Sequence, residues 1–292
     1  MISIAMTTYN GERYIERQLN TILNQSLPVD EIVICDDCSQ DRTVEVVERI
    51  IAATQDIRIR LIQNEENLGY VRNFYKAISL THGDYIFLSD QDDEWHFDKV
   101  AKMIQTMEET KASAICTDCR FIDEDSKEIP NTAYYDRNPF IHNVTQRLTP
   151  ITFYELVIGN IAQGCTYCFT EAVKQSYLRV NSSHLIHDHQ IMFVASLLGN
   201  VYFLNEALID YRLHSQNMVG FGSAEDGRKL KLKFPSAKPV MVRFMEDLGR
   251  AVDVPNLEYY KLLYYCRIPY FISVFRRKQY SKYSRSEKEI KE

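Results

Sequence analysis

The feature that most constrains the fold is an alternation, over residues 2–122, of short apolar runs with longer stretches whose apolar residues recur at helical spacing. The apolar runs predict strands at 2–8, 31–37, 57–63, 83–89 and 112–122. The intervening stretches predict helices at 11–25, 43–54, 67–80 and 97–110. Strands that alternate with such helices are typical of α/β proteins. We therefore predict an α/β fold with a mainly parallel, twisted sheet flanked by helices.

Polar and acidic residues stand where three of these strands end, in the segments TTYN, CDDCS and SDQDD. In open parallel sheets, ligands bind outside the carboxyl ends of the strands. The carboxylates of Asp90, Asp92 and Asp93 would repel one another there unless a cation lay between them. Mg²⁺ or Mn²⁺ typically takes one or two carboxylates together with phosphate oxygens, and would stabilise a departing nucleoside diphosphate. A solvated acidic loop, or acids at the start of the next helix, would explain the same motif without a ligand.

The ends of the first two strands carry groups that suit a nucleotide. Thr7 and Tyr9 bring a backbone and an aromatic ring to the place where a base would lie. Asp37 brings a carboxylate that can accept hydrogen bonds from a base N–H or a ribose hydroxyl. Ordinary turn chemistry remains the alternative for these residues.

Charge, hydropathy and cysteine spacing argue against several other classes of protein. The 292 residues carry a formal net charge of −6, which argues against a nucleic-acid partner. No apolar run approaches the roughly 18–20 residues of a membrane span, and MISIAMTTYN lacks the basic start and cleavage site of a signal peptide, so we predict a cytoplasmic protein. The cysteines include the pairs Cys35/Cys38, Cys116/Cys119 and Cys165/Cys168. Residues three apart in a strand point to opposite faces, so we favour buried apolar thiols over a zinc site.

The remaining sequence divides near residue 222. Residues 122–150 are polar and irregular, which predicts a loop or lid, and order returns over 151–212. We predict one domain over 1–222 and a helical, basic C-terminal extension over 223–292. The end of the extension mixes aromatic with basic residues. That composition suits either peripheral contact with anionic lipid at the inner membrane face or a helix packed on the domain with a solvated basic face.

Four segments in order carry a resemblance to a known family: TTYNGERYIERQLNTILNQS, DEIVICDDCSQDRTVEVV, NEENLGYVRNFYKAI and GDYIFLSDQDDEWHFDKV. Together they resemble the N-terminal half of family-2 nucleotide-sugar glycosyltransferases, which have the GT-A fold. GNIAQGCTYCF and HDHQIMFVASLLGN extend the resemblance to about residue 220, and the DQDDEW and YRLHSQN stretches are most similar to the rhamnosyltransferase-type branch. The resemblance implies transfer of a sugar, with rhamnose as one candidate, from a nucleoside-diphosphate sugar to a glycan or lipid-linked acceptor in cell-surface polysaccharide synthesis.

The resemblance also implies roles for individual residues. The positions that match nucleotide contacts are Thr7, Tyr9, Asp37 and Asp90. Asp92 matches the ligand of a divalent Mg²⁺ or Mn²⁺ ion. Asp188 matches the catalytic base of inverting members, and its alternative role is to cap the helix that follows. Two positions depart from the family pattern, since Phe97 stands where Pro is frequent and His189 where Trp is common, and the second change would alter the acceptor pocket.

Four further residues are candidates with open alternatives. Trp95 would either stack on an acceptor sugar or pack in the interior. Arg212 and His214 follow a strand and would reach the diphosphate or the metal, with a surface hydrogen-bonding role as the alternative for His214. Arg72 would contact phosphate or form a structural salt bridge.

Two other functions compete with this one. A sugar nucleotidyltransferase would share the sheet and the metal-binding acids, but usually has a glycine-rich phosphate loop that TTYNGERY lacks. A non-catalytic carbohydrate-binding protein on the same fold would not need Asp37, Asp92 and Asp188 together. We therefore predict a metal-dependent inverting glycosyltransferase.

Overall fold

The computed structural model describes residues 1–55, 57–129, 146–214, 240–258 and 260–261. The strands in this part of the chain are β1 Ile2–Thr8, β2 Glu31–Asp36, β3 Arg58–Gln63, β4 Tyr85–Ser89, β5 Glu94–Trp95, β6 Ala112–Ile122, β7 Leu148–Ile151, β8 Tyr167–Thr170 and β9 Asn200–Arg212. The helices are α1 Ile15–Leu23, α2 Thr43–Ala53, α3 Tyr70–Ser79, α4 Lys99–Thr110, α5 Phe153–Ile158, α6 Glu171–Val180, α7 His187–Leu198 and α8 Val240–Ala251. A short 3₁₀ turn, Gly164–Thr166, precedes β8.

The strands form one sheet in the order β3-β2-β1-β4-β8-β6-β9-β5, with β7 paired to the other part of β9. The first four strands are parallel to one another. β8 runs antiparallel between β4 and β6, and β5 and β7 run antiparallel to β9, whereas β6 and β9 are parallel. The predicted mainly parallel sheet is confirmed for the N-terminal half, and the second half adds antiparallel strands.

The parallel strands end level with one another, which defines one edge of the sheet. Thr8 pairs with Asp36, Asp36 with Gln63, and Met6 with Ser89. Every residue of β1 and β2 is buried, because helices cover both faces of a parallel sheet. Their continuous apolar sequences follow from that burial. The polar residues directly after these strands therefore converge at the predicted edge.

The C-terminal part of the described chain is helical, as predicted. α8 buries Met241, Phe244, Met245 and Leu248, and the Phe244 ring lies 5.3 Å from that of Phe193 in α7. This helix therefore packs on the core of the sheet domain. The proposed boundary at 222/223 stays a prediction, and the basic tail, at 262–292, lies outside the described residues.

Two other sequence predictions concern loops and thiols. Within the predicted irregular segment, residues 148–150 belong to β7, and 130–145 lie outside the described residues. The CxxC prediction agrees with the structure, since the described cysteines are free and all but Cys38 are buried. Within the described ranges, no helix combines the length and the apolar character needed to cross a bilayer.

Candidate active site

The acidic loop that follows β4 is fastened to the end of β1. The Gln91 side chain accepts a hydrogen bond from the Tyr9 N–H at 2.8 Å and donates to the Tyr9 carbonyl at 3.0 Å. A Cβ atom at Gly11 would lie 2.3 Å from Gln91 Oε1, so a glycine leaves room for this tether. The loop thereby holds Asp90 and Asp92 at the carboxyl edge of the sheet.

The two predicted metal ligands contact each other. The His214 Nε2 atom lies 2.8 Å from Asp92 Oδ2, although 122 residues separate them in sequence. β9 brings His214 to this position, and its imidazole packs on the Tyr14 ring with centroids 5.1 Å apart. Both side chains are largely buried. The structure therefore joins Asp92 and His214 at one point, as a shared metal would require.

Further carboxylates crowd the same region. Oxygens of Asp90 and Asp93 and the Cys165 sulfur all lie within 4.8 Å of one another. Burial raises the pKa of Asp93 to about 7, and the Asp92 carboxylate adds to the shift. Burial raises the pKa of Asp90 well above its usual value. The negative charges of Asp93, Asp92 and Asp188 raise it further. Asp188 of α7 therefore shares one electrostatic environment with the acids of the β4 loop.

These residues fit a divalent cation. Asp93 Oδ1 accepts a hydrogen bond from the Arg212 N–H at 3.1 Å, whereas its buried Oδ2 has no hydrogen-bond partner among the described residues. Carboxylate oxygens with an imidazole suit Mn²⁺, and carboxylates with water and phosphate oxygens suit Mg²⁺. Asp92 and His214 are the residues that would hold such an ion, with Asp90 beside them. The repulsion among these acids is the cost that a cation would offset.

Asp188 stands in the first turn of α7, which begins at His187 after the N-cap residue Ile186. Asp188 is therefore not the N-cap that its alternative role required. Its Oδ1 accepts from the His189 N–H at 2.6 Å, and its Oδ2 accepts from Asn160 Nδ2 at 3.1 Å. Burial raises the pKa of Asp188 to about 6. A carboxylate that is held in place and raised in pKa is suited to act as a general base near neutral pH.

Gly164 of the 3₁₀ turn lies against the side chain of Asp188. A Cβ atom there would approach Asp188 Cβ to 3.3 Å and His187 Nε2 to 3.2 Å. The absence of a side chain at this position thus sets how closely the turn approaches the start of α7.

Lys99 is a charged residue of this region that sequence reasoning missed. It is fully buried in the first turn of α4, donates to the Cys165 carbonyl at 2.6 Å and places Nζ 3.9 Å from the centroid of the Trp95 ring. Burial lowers its pKa to about 8. In the sequence it reads as an ordinary polar residue of an amphipathic helix, and no local signal marks its burial.

Trp95 and Arg212 have structural roles. Trp95 is 4% exposed and packs on Phe87, which favours the interior alternative over an acceptor platform. Arg212 is 1% exposed, and its guanidinium donates to the Asp92 carbonyl at 2.7 Å and to the Glu94 carboxylate at 2.5 Å. Three groups in the turn after β6 also accept hydrogen bonds from this guanidinium. The predicted diphosphate contact of Arg212 is therefore replaced by a buried network that fixes the acidic loop to β9.

His189 is likewise an interior residue. Its Nε2 donates to the Leu156 carbonyl at 2.7 Å, and its ring stacks on Phe193. The imidazole points into the protein, and the expected change to the acceptor pocket at this position stays a prediction. Arg72 is exposed on α3 and is absent from the ion pairs of the described residues, so its contact with phosphate stays a prediction.

The predicted nucleotide-contacting residues lie along the β1 and β2 ends. Thr7 is buried at the end of β1, and the Tyr9 ring is exposed. Asp37 is buried and accepts hydrogen bonds from the main chain at Leu68, at 2.7 Å, and at Gly69, at 2.9 Å. Gly69 has a φ of 74°, a left-handed conformation that glycine adopts readily. Asp37 thus fixes the loop that leads into α3, and its contact with a nucleotide stays a prediction.

Comparison with known proteins identifies the family of the chain. A profile of glycosyl transferase family 2 matches residues 3–172, more than half of the chain. A Bacillus subtilis glycosyltransferase named for teichuronic acid biosynthesis is 27% identical over 214 residues, which is 73% of this chain and 79% of that protein. The dTDP-rhamnosyl transferase RfbG of Shigella flexneri is 27% identical over 227 residues, covering 74% and 73%. The chain belongs to glycosyl transferase family 2.

A solved structure shares the fold. The crystal structure of S. aureus TarS residues 1–349 with UDP-GlcNAc superposes with a TM-score of 0.65 at 17% identity, covering 90% of this chain and 70% of that one. The likeness confirms the predicted fold class. The family match favours a transferase over the sugar nucleotidyltransferase and the non-catalytic binding protein.

Proposed function

We propose that this protein is an inverting, divalent-metal-dependent glycosyltransferase of bacterial cell-surface polysaccharide synthesis. It moves a sugar from a nucleoside-diphosphate sugar to a hydroxyl of a glycan or lipid-linked acceptor. The observation that carries the proposal is the position of Asp188 against Gly164, because the sulfur of the next residue, Cys165, lies within 4.8 Å of carboxylate oxygens of Asp90 and Asp93. A base and a phosphate-binding site must both border the reacting carbon, and the closeness of Asp188 to the acidic loop supports this arrangement.

The residues support a single displacement. Asp188 takes the proton from the acceptor hydroxyl as the oxygen attacks the anomeric carbon, and the bond to the nucleoside diphosphate breaks on the opposite face. The configuration of that carbon is thereby inverted. Asp92 and His214 would hold a divalent ion, which would neutralise charge on the departing phosphate oxygens. Asn160 and the main chain of His189 keep the Asp188 carboxylate in position.

The names of two similar proteins support a particular class of donor nucleotide sugar. One is named for dTDP-rhamnosyl transfer, and TarS was solved with UDP-GlcNAc. These names support a dTDP- or UDP-linked sugar as the donor, with Thr7, Tyr9 and Asp37 at the base and ribose. A lipid-linked acceptor would place the reaction at the inner membrane face, where the basic C-terminal tail would meet anionic lipid.

A metal-dependent nucleotide effect on thermal stability tests the proposal. UDP or dTDP at about 100 times its Kd, together with Mn²⁺ or Mg²⁺, should raise the Tm by about 5–10 °C. Each nucleotide with EDTA and each metal alone serve as controls, and neither should reproduce the shift. If no nucleoside diphosphate raised the Tm with either metal, the donor class would be wrong.

The pH dependence of turnover should report the base. The Asp188 carboxylate is active only when ionised, and its pKa of about 6 means that turnover should rise with pH up to about 6 and level off above it. Initial rates of donor hydrolysis at saturating donor and metal, measured from about pH 4.5 to 8.5, give the profile. Tm values in the same buffers separate titration from unfolding. A profile without change below about pH 6 would contradict this role.

A further inference from the structure

A buried histidine next to the base has no hydrogen-bond partner. His187 is the first residue of α7 and is 7% exposed. Neither its Nδ1 nor its Nε2 has a hydrogen-bond partner among the described residues. A neutral imidazole carries one donor and one acceptor, and buried polar groups in folded proteins nearly always have partners. The unpaired nitrogens therefore call for a partner that the described residues do not supply.

The surroundings of His187 place it in the candidate active site. Its ring stacks on Phe74 with centroids 4.0 Å apart and 17° between the planes. The Tyr70 ring meets it edge-on at 6.3 Å, and Tyr70 is 37% exposed. Gly164 lies against both His187 Nε2 and the side chain of Asp188. The imidazole and the catalytic carboxylate thus border the same glycine.

Tyr70 links this group to the base. Burial raises the pKa of Tyr70, and the nearby charge of Asp188 raises it further. The partly exposed Tyr70 ring contacts the imidazole, and the imidazole and the Asp188 side chain both lie against Gly164, so the three groups are neighbours. Together they combine aromatic surface with hydrogen-bonding groups, a combination that suits a sugar ring.

The charge state of His187 indicates which chemical group could be its hydrogen-bond partner. Burial lowers its pKa to about 3, so the imidazole is neutral at any pH near neutrality. A neutral imidazole gives a diphosphate no counter-charge. It does match a hydroxyl group, which both donates and accepts a hydrogen bond.

We propose that His187 is a substrate-binding residue that hydrogen-bonds a hydroxyl of the sugar reacting at Asp188. The inference rests on the proposed function and adds a specificity contact to it. The hydroxyl belongs either to the donor sugar or to the acceptor sugar, since both meet at the base. The Phe74 ring stacks on the imidazole and fixes its plane. Gly164 has no side chain to fill the space beside His187 Nε2 and Asp188.

Two variants separate hydrogen bonding from packing. His187→Phe keeps a planar ring to stack on Phe74 and removes both nitrogens. His187→Gln gives up the ring and keeps a donor and an acceptor. Calorimetric titrations with UDP, UDP-GlcNAc, dTDP and dTDP-rhamnose, each with Mn²⁺, measure how much the sugar adds to nucleotide affinity.

A contact with the donor sugar predicts a selective loss. His187→Phe should weaken binding of the accepted nucleotide sugar by about threefold to tenfold, as expected for one hydrogen bond, while the Kd of the matching nucleoside diphosphate stays within about twofold. His187→Gln should recover part of that loss. If the hydroxyl belongs to the acceptor, donor affinity stays unchanged and the KM for a p-nitrophenyl glycoside acceptor rises by a similar factor.

Three results would overturn the inference. His187→Phe with wild-type donor affinity and acceptor KM would leave the ring a packing role alone. Equal losses in both variants, accompanied by a lowered Tm and weaker binding of the nucleoside diphosphate itself, would indicate a general structural defect. A wild-type protein that binds neither the nucleotides nor the nucleotide sugars would remove the proposed function, and the inference with it.

Discussion

Asp188→Asn is expected to lower kcat by about 10²- to 10⁴-fold and to leave nucleoside diphosphate affinity unchanged. The amide has the shape of the carboxylate, and its one oxygen can accept either the His189 or the Asn160 hydrogen bond, which the carboxylate accepts on separate oxygens. It cannot take a proton from the acceptor hydroxyl. The loss should therefore fall on the chemical step, and the apparent affinity for the donor should change little.

Single-turnover rates and nucleotide titrations on the same preparation separate the two quantities. Asp125→Asn is a matched control, because this carboxylate is 71% exposed in the turn after β6. It should have wild-type turnover. Full transfer activity in Asp188→Asn would exclude Asp188 as the base.

Asp92→Asn is expected to lower kcat/KM by about 10³-fold and to abolish the dependence of nucleotide binding on metal. Asp92 is the carboxylate in contact with His214, and the amide that replaces it is a poor ligand for a hard divalent ion. Titrations of UDP or dTDP against increasing Mn²⁺ give the metal dependence directly. The remaining affinity should equal that of the wild-type protein in EDTA.

Histidine variants provide the matched comparison for this second expectation. His214→Gln should raise the Mn²⁺ concentration needed for half-maximal activity, because it removes an imidazole from the same point. His82→Gln changes a histidine that is 58% exposed before β4, at the opposite end of the strand, and should have no such effect. A normal metal requirement in Asp92→Asn would place the ion elsewhere.

The N-terminal half of the fold is predictable because three of its four parallel strands are buried on both faces. β1, β2 and β4 therefore read as continuous apolar runs between amphipathic stretches. The second half follows no such pattern. β8 enters the sheet between β4 and β6, which precede it by many residues, and β5 has only two residues. Such pairings depend on tertiary contacts that leave no periodic signal in the sequence.

The residues of the candidate site also divide into those whose place the sequence could predict and those whose place it could not. The closeness of Asp90 and Asp92 to the edge of the sheet was predictable from their place after a strand, and the role of Asp188, taken from the family resemblance, stays a prediction. Arg212 was misassigned because a charged side chain at a strand end reads as solvent-facing, whereas here it completes a buried network. The burial of Lys99 and His187 depends on elements distant in sequence, and nothing in their neighbouring residues indicates it.

The raised pKa values of Asp93 and Asp188 also act on folding through proton linkage. Both carboxyls bind protons more tightly in the folded chain than in an unfolded one, with folded pKa values of about 7 and 6 against about 3.9. Their contribution to stability is complete in acid and declines as the pH rises from about 4 to 7. At the pH where Asp188 must be ionised, both carboxyl groups have lost this contribution to the stability of the fold. A cation that binds beside them and offsets their negative charge should restore it.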